Sequence, residues 1–309
     1  MATKPQDETE AGSGGALTRL ILNPWVMLAL AGLFWSGNHI AARAAAGHVP
    51  PIALGSLRWL IAAAIMWPFV RAHVRSDWPA IKAGWKPILT LSVLGGAVFS
   101  ALQYTALQYT SALNGSIFNS FAPAIIVLVG ALMFRDRLRM INLAGITVSF
   151  IGVMVIVSRG EFAVLKTISF NYGDVLLLVN MAVWAVYSTC LRLRPPIHPL
   201  SFTWLLAIIA GVTLIPLWIW EHAGGFHMQA DRLTVAILVY VTIFPGILAY
   251  ICWNRGIEAV GAARGGVFLH LIPFYGAVLA TTLLGEKLMG FHILGCALIL
   301  SGVWFAARK

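Results

Sequence analysis

The sequence predicts an all-α polytopic membrane protein with ten transmembrane helices arranged as two inverted five-helix repeats. Composition gives the class. Of 309 residues, 60% are hydrophobic and only 10% charged, where a soluble domain carries roughly 25% charged residues. An internal repeat gives the architecture, and the placement of Lys and Arg gives the orientation.

The repeat is written without a gap. Residues 104–157 return 150 positions later as 254–307, and the pairs include Gly115/Gly265, Phe118/Phe268, Pro123/Pro273, Asp136/Glu286, Arg137/Lys287, Gly145/Gly295 and Gly152/Gly302. Apolar segments resemble one another by chance. Matching glycines, a matching proline and a matching acid-base-Leu turn are far stronger evidence of duplication.

A bilayer core takes about 20 apolar residues per helix. Runs long enough fall at 24–46, 52–71, 87–109, 112–134, 140–158, 172–193, 199–220, 232–257, 263–284 and 288–307. Residues 1–23 read as a disordered cytoplasmic tail, since they are polar, of mixed charge and lack an apolar signal core. The repeats are then 24–158 and 172–309, joined by an external linker at 159–171. With the N-terminus inside, fifteen of the 21 Lys and Arg face the cytoplasm. Arg159, Lys166, Arg232 and Lys287 fall outside, and Arg43 and Arg58 sit in helix ends nearer the outer face. This bias places both termini in the cytoplasm. Five helices per repeat is an odd number, so the halves must be inverted, an architecture of transporters. The formal charge of +10 is topogenic; it is scattered over loops with no clustered basic face, and no nucleic-acid partner is expected. Cys190, Cys252 and Cys296 have no paired spacing and read as buried free thiols.

Candidate binding residues follow from polar groups in apolar helices. Trp35, Asn38, His39 and Arg43 share one face of the first helix, and 149 positions on the sixth repeats the device with Trp184, Tyr187, Ser188 and Arg192. On the third helix Ser100, Gln103 and Tyr104 answer Tyr250, Trp253 and Asn254 on the eighth. Asn119 precedes Pro123 and His270 precedes Pro273; these two prolines and Pro245 are the expected kinks or hinges. Interhelical hydrogen bonding explains any one such residue, whereas the symmetric set predicts a shared, water-filled cavity. Arg43 and Arg192, toward opposite mouths, are expected to snorkel or neutralise headgroups. Gly145, Ser149, Gly152, Gly295 and Gly302 predict close helix contacts outside the pathway.

All eleven carboxylates lie in tails, loops or helix ends. A membrane-embedded acid costs roughly 2.5–3.5 kcal/mol and is kept for a task such as proton binding, so acid-based proton antiport is disfavoured. His39 and His270 are the remaining titratable candidates. No hydrolase, Walker or metalloprotease motif is present; no enzymatic activity, cofactor or metal is expected.

Phe34-Trp35-Ser36-Gly37-Asn38, Pro123 before an apolar run ending in Arg135-Asp136-Arg137-Leu138, and Pro273 before Gly285-Glu286-Lys287-Leu288 resemble the drug/metabolite transporter superfamily, EamA type, over about residues 24–308. The resemblance implies an exporter of amino acids, with a broad range among them, in a bacterial inner (plasma) membrane; membrane lipid is an expected partner, and a monomer is expected. The expectation is alternating-access uniport of neutral or aromatic amino acids, with a multidrug or other small-metabolite exporter, or a membrane enzyme or sensor, as alternatives.

Overall fold

Asn23 starts the first helix, its side chain accepting the Trp25 N–H at 3.0 Å while Pro24 fills the first turn. The computed structural model describes residues 20, 22–110, 118–137, 139–161, 171–283 and 289–307, and among these every regular element is helical. In chain order they are α1 (Pro24–Ser36), α2 (Asn38–Ala44), α3 (Pro51–Ala83), α4 (Trp85–Tyr109), α5 (Ala122–Phe134), α6 (Met140–Val157), α7 (Tyr172–Cys190), α8 (Pro199–Ala223), α9 (Arg232–Val260), α10 (Leu271–Leu283) and α11 (Gly290–Ala307). Seven helical segments among the described residues are long and apolar enough to cross a membrane, and α5 and α11 are shorter apolar helices.

Three elements depart from the sequence expectation. The first helix breaks at Gly37, where a β-carbon would overlap the Tyr240 hydroxyl; that hydroxyl donates to the Phe34 carbonyl at 3.2 Å. The second helix, expected at 52–71, runs on to Ala83. Its extension is held against the start of α8, where the His198 N–H donates to Asp77 at 2.9 Å and the His73 and His198 rings stack at 3.8 Å. The expected helix at 112–134 is described only from residue 118, and its α-helix begins at Ala122. Pro123 and Pro273 therefore both sit in a first helical turn, where no backbone hydrogen bond is lost. The bends lie on their N-terminal side, as a turn at 118–121 and as the 3-10 segment Gly266–His270.

The two halves pack through equivalent helices running antiparallel. On α6 and α11, Gly145 abuts Gly302 and Gly152 abuts Gly295, with carbonyl oxygens 2.7 Å from where either β-carbon would be. Because 145 is equivalent to 295 and 152 to 302, the contact is its own image. On α3 and α8, Glu221 caps the Ile52 and Ala53 N–H groups while Trp204 donates to the Ala63 carbonyl at 3.1 Å. The glycine faces expected on α6 and α11 thus carry backbone-to-backbone packing.

The repeat also reaches further back than 104. Both α4 and α9 contain a π-helical segment, Val93–Val98 and Thr242–Leu248, and the same offset of 150 pairs Gly95 with Pro245 and Gly96 with Gly246. A π-segment leaves carbonyls without the usual helical donor, and such segments recur at functional sites. Side chains from other elements take them here. Tyr250 donates to Gly95 at 2.5 Å, Trp59 to Gly96 at 3.2 Å, and Trp35 to Pro245 at 3.2 Å.

Candidate functional site

Trp35 and Trp184 are equivalents in the repeat, and they meet edge-to-face with ring centroids 5.2 Å apart. The pseudo-twofold axis passes between them. On one side of this pair lies a buried cavity of about 40 Å³, lined by Trp35, Asn38, His39, Arg58, Phe99, Gln103, Asn119, Ala122, Met181, Trp184, Leu269 and Ile272. It holds a few waters at most. A second, wider cleft of about 810 Å³ lies among residues 47–52, 105–109 and 220–227.

Six of the expected binding residues line the cavity together: Trp35, Asn38, His39, Gln103, Asn119 and Trp184. The break at Gly37 restarts the helix at Asn38, so Asn38 and His39 follow it on α2. Tyr104 donates to Asn38 at 3.2 Å, Asn180 donates to Gln103 at 2.8 Å, and His39 pairs with Asn119. The Trp184 indole N–H is buried with no hydrogen-bond partner among the described residues.

The structure does not bring the other eight to the cavity wall. Ser100 accepts the Trp59 indole N–H at 2.9 Å, and Tyr104 stands behind Asn38. Across the tryptophan pair, Tyr187 donates to Asn254 at 2.6 Å and Trp253 to Ser188 at 3.3 Å. Tyr250, Trp253 and Tyr187 are fully buried and pack on Trp184 with centroids 5.1–5.7 Å apart, forming an aromatic plug. His270 lies between the Ser120 carbonyl, 2.8 Å away, and the Ser149 hydroxyl of α6. These groups make bonds and ring contacts between helices.

Arg192 corrects the sequence expectation. It makes a bidentate pair with Asp136, at 2.9 and 2.6 Å, instead of reaching for headgroups. The guanidinium holds the Asp136 carboxyl below the ordinary range. The Arg43 side chain lies outside the described structure. Arg194 pairs with Glu258 at 2.6 Å.

The residue that sequence reasoning missed is Arg58. Assigned to a helix end, it lies 2% exposed in the cavity wall. Its Nη1 donates to the Tyr104 hydroxyl at 2.7 Å, and its guanidinium lies 4.4 Å from the Trp59 ring centroid. Its Nε and Nη2 have no hydrogen-bond partner among the described residues. An arginine two turns into a 20-residue apolar run was the available signal, because intramembrane charge costs roughly 2.5–3.5 kcal/mol on insertion scales and is kept for function. Among the described residues no Asp or Glu lines the cavity. Acids near the membrane ends cap helices instead: Asp174 in the capping box of α7, Asp231 on the Thr234 N–H, and Glu221 on α3.

Two duplicated halves of apolar helices, with a small cavity between them whose wall carries polar side chains, fit a multi-pass membrane transporter. The chain belongs to the EamA-like transporter family, whose description matches it twice, over residues 23–158 and 171–308. It is 24% identical to a protein of Salmonella typhimurium named "Probable amino-acid metabolite efflux pump", over 87% of this chain and 90% of that protein. It is also 24% identical to "Uncharacterized transporter YyaM" of Bacillus subtilis, over 93% of this chain and 94% of that one. A solved crystal structure superposes with a TM-score of 0.71 at 20% identity, covering 92% of this chain and 96% of the other. That likeness concerns the fold. Family and relatives alike indicate a carrier of small molecules in a membrane and not an enzyme.

Proposed function

We propose that this protein exports amino acids, neutral and aromatic ones foremost, by alternating access between two inverted five-helix halves, as a uniporter without proton coupling. Ten helices cross the inner membrane, with both termini in the cytoplasm. The observation that carries the proposal is the cavity at the pseudo-twofold axis, bounded by Trp35 and Trp184, with Asn38, Gln103 and Asn119 beside it and the Tyr187–Trp253–Tyr250 plug across the pair. In that orientation the cavity lies on the outer side and the plug on the inner side. Movement of one half against the other exchanges the two environments, and the five candidates across the pair, Tyr187, Ser188, Tyr250, Trp253 and Asn254, become the wall of the inward-facing chamber. The relative in Salmonella typhimurium supports the substrate class by its name.

At about 40 Å³ the cavity is smaller than an amino acid, where small-molecule sites run from about 300 Å³. The described conformation is a contracted member of the cycle, and loading moves Phe99 and Trp184 outward. The absence of any cavity-lining acid supports uniport.

The test is efflux of labelled phenylalanine from vesicles containing the purified protein. Efflux down the substrate gradient at equal pH on both sides is the expected result. Efflux that requires an imposed pH gradient overturns uniport. No flux of any amino acid, with flux of other metabolites in the same vesicles, overturns the substrate class.

A further inference from the structure

We infer that Arg58 is a carboxylate-binding residue, and that the molecule carried is gripped by a single carboxylate set at one end of an apolar body. This rests on the transport reading above and deepens it by naming the group that the site recognises. The guanidinium is 2% exposed in the cavity wall. Its side chain is a planar cation that carries a fork of donors and no acceptor. Among the described residues no Asp or Glu pairs with it, since the ion pairs found there are Arg192–Asp136, Arg194–Glu258 and His48–Asp231.

Tyr104 is its hydrogen-bond acceptor among the described residues, and the Tyr250 hydroxyl also lies within its electrostatic reach. Nη1 is satisfied by Tyr104 at 2.7 Å, and Tyr104 in turn donates to Asn38 at 3.2 Å. That relay fixes the plane of the guanidinium from behind. The unsatisfied groups are Nε and Nη2, which together form the edge of the fork that takes a carboxylate through two parallel hydrogen bonds. The Trp59 ring at 4.4 Å and the Tyr104 ring at 5.4 Å ease the charge without neutralising it. A buried cation left so incompletely matched is costly to the empty protein and is repaid when an anion arrives.

The rest of the wall selects the anion. One guanidinium matches one negative charge, whereas a phosphate ester calls for a cluster of cations. Phe99, Met181, Trp184, Leu269 and Ile272 supply apolar surface in the same cavity wall, which suits a hydrocarbon or aromatic body. Arg58 is thus a binding residue, and the ligand class is a small organic carboxylate.

Thermal unfolding of the purified full chain tests this apart from transport, using 3-phenylpropionate, phenethylamine and sodium chloride at equal concentration as probes. We expect 3-phenylpropionate alone to raise the unfolding temperature. Arg58→Gln should weaken its apparent affinity by roughly ten- to a hundredfold, the worth of hydrogen bonds to a charged group. Arg58→Lys should retain part of the effect, as a point charge without the fork. The ligand-free Arg58→Gln protein should be as stable as wild type or more so, which a structural arginine would not allow. Equal stabilisation by phenethylamine or by chloride, no stabilisation of wild type by 3-phenylpropionate, or loss of folding in Arg58→Gln each overturns the inference. Binding without efflux removes the transport reading and leaves this one. Efflux that takes phenethylamine as readily as phenylalanine does the reverse.

Discussion

Tyr187 donates to Asn254 at 2.6 Å, and this bond is the image of the 3.2 Å bond from Tyr104 to Asn38 with the residue types exchanged between helices. In one repeat the first helix supplies the amide and the third the hydroxyl; in the other the assignment is reversed. The first bond lies in the plug, the second behind the cavity. Tyr187→Phe removes the plug bond and leaves a fully buried Asn254 whose Nδ2 is already unpartnered. Leaving such a group unsatisfied costs about 1–3 kcal/mol, so the variant should unfold at a lower temperature than wild type. An unchanged unfolding temperature would show that the plug bond contributes nothing.

The two axial tryptophans differ in what they hold. Trp35 donates to the Pro245 carbonyl in a π-segment, whereas the Trp184 N–H has no hydrogen-bond partner among the described residues. Trp35→Phe should therefore destabilise by about 1–3 kcal/mol beyond the loss of ring volume. Trp184→Phe should cost less in stability and change substrate affinity instead. Paired unfolding curves and competition assays on the two variants decide this, and equal stability loss in both would refute the distinction.

At Gly152 a β-carbon would come within 2.7 Å of the Gly295 carbonyl and 2.8 Å of the Ile299 nitrogen, both backbone atoms. Gly152→Leu must separate α6 from α11, and overpacking of this kind costs typically 1–3 kcal/mol, occasionally more. Folded yield and unfolding temperature should fall together. Gly276→Ala, at a position with nothing within 4 Å of the added carbon, serves as the control and should be close to neutral.

The Asp136–Arg192 pair gives a pH dependence of defined sign. The carboxyl pKa is depressed from its ordinary value of 3.8, first by the hydrogen bonds from Arg192. The stabilisation is therefore present above that value and is lost as pH falls through the lower folded-state value. Both side chains are more than a third exposed or close to it, at 39% and 34%, so screening holds the contribution to about 0–1 kcal/mol. The unfolding temperatures of wild type and Asp136→Asn should differ slightly at neutral pH and in low salt, and converge under acid. A gap that widens on acidification would contradict the assignment.

The sequence disclosed the features that depend on local chemistry. Glycines that let helices touch, prolines, and an acid-base-Leu turn are all readable one residue at a time, so the repeat and the α6–α11 contact at Gly145 and Gly152 were legible. Asn38 and His39 were found because polar groups stand out on an apolar face. The break at Gly37 was not, because its cause is Tyr240, some 200 positions away along the chain. The extension of α3 to Ala83 likewise depends on His198 and Asp77, which no local pattern joins. Arg58 was discounted as a helix-end charge. Depth was judged from position in the run, and burial of this side chain is decided by Tyr104 and Trp59 closing over it.

The guanidinium of Arg58 has no twin. The residues 149 and 150 positions further on are Ala207 and Ile208, so a duplicated scaffold carries its strongest electrostatic feature in one copy only. Were the cargo gripped there as inferred, its charged head would stay with α3 and its hydrocarbon end would meet Met181 and Trp184 of α7. Rocking of the halves would then exchange its surroundings, and the cargo would leave with the heading it had on arrival.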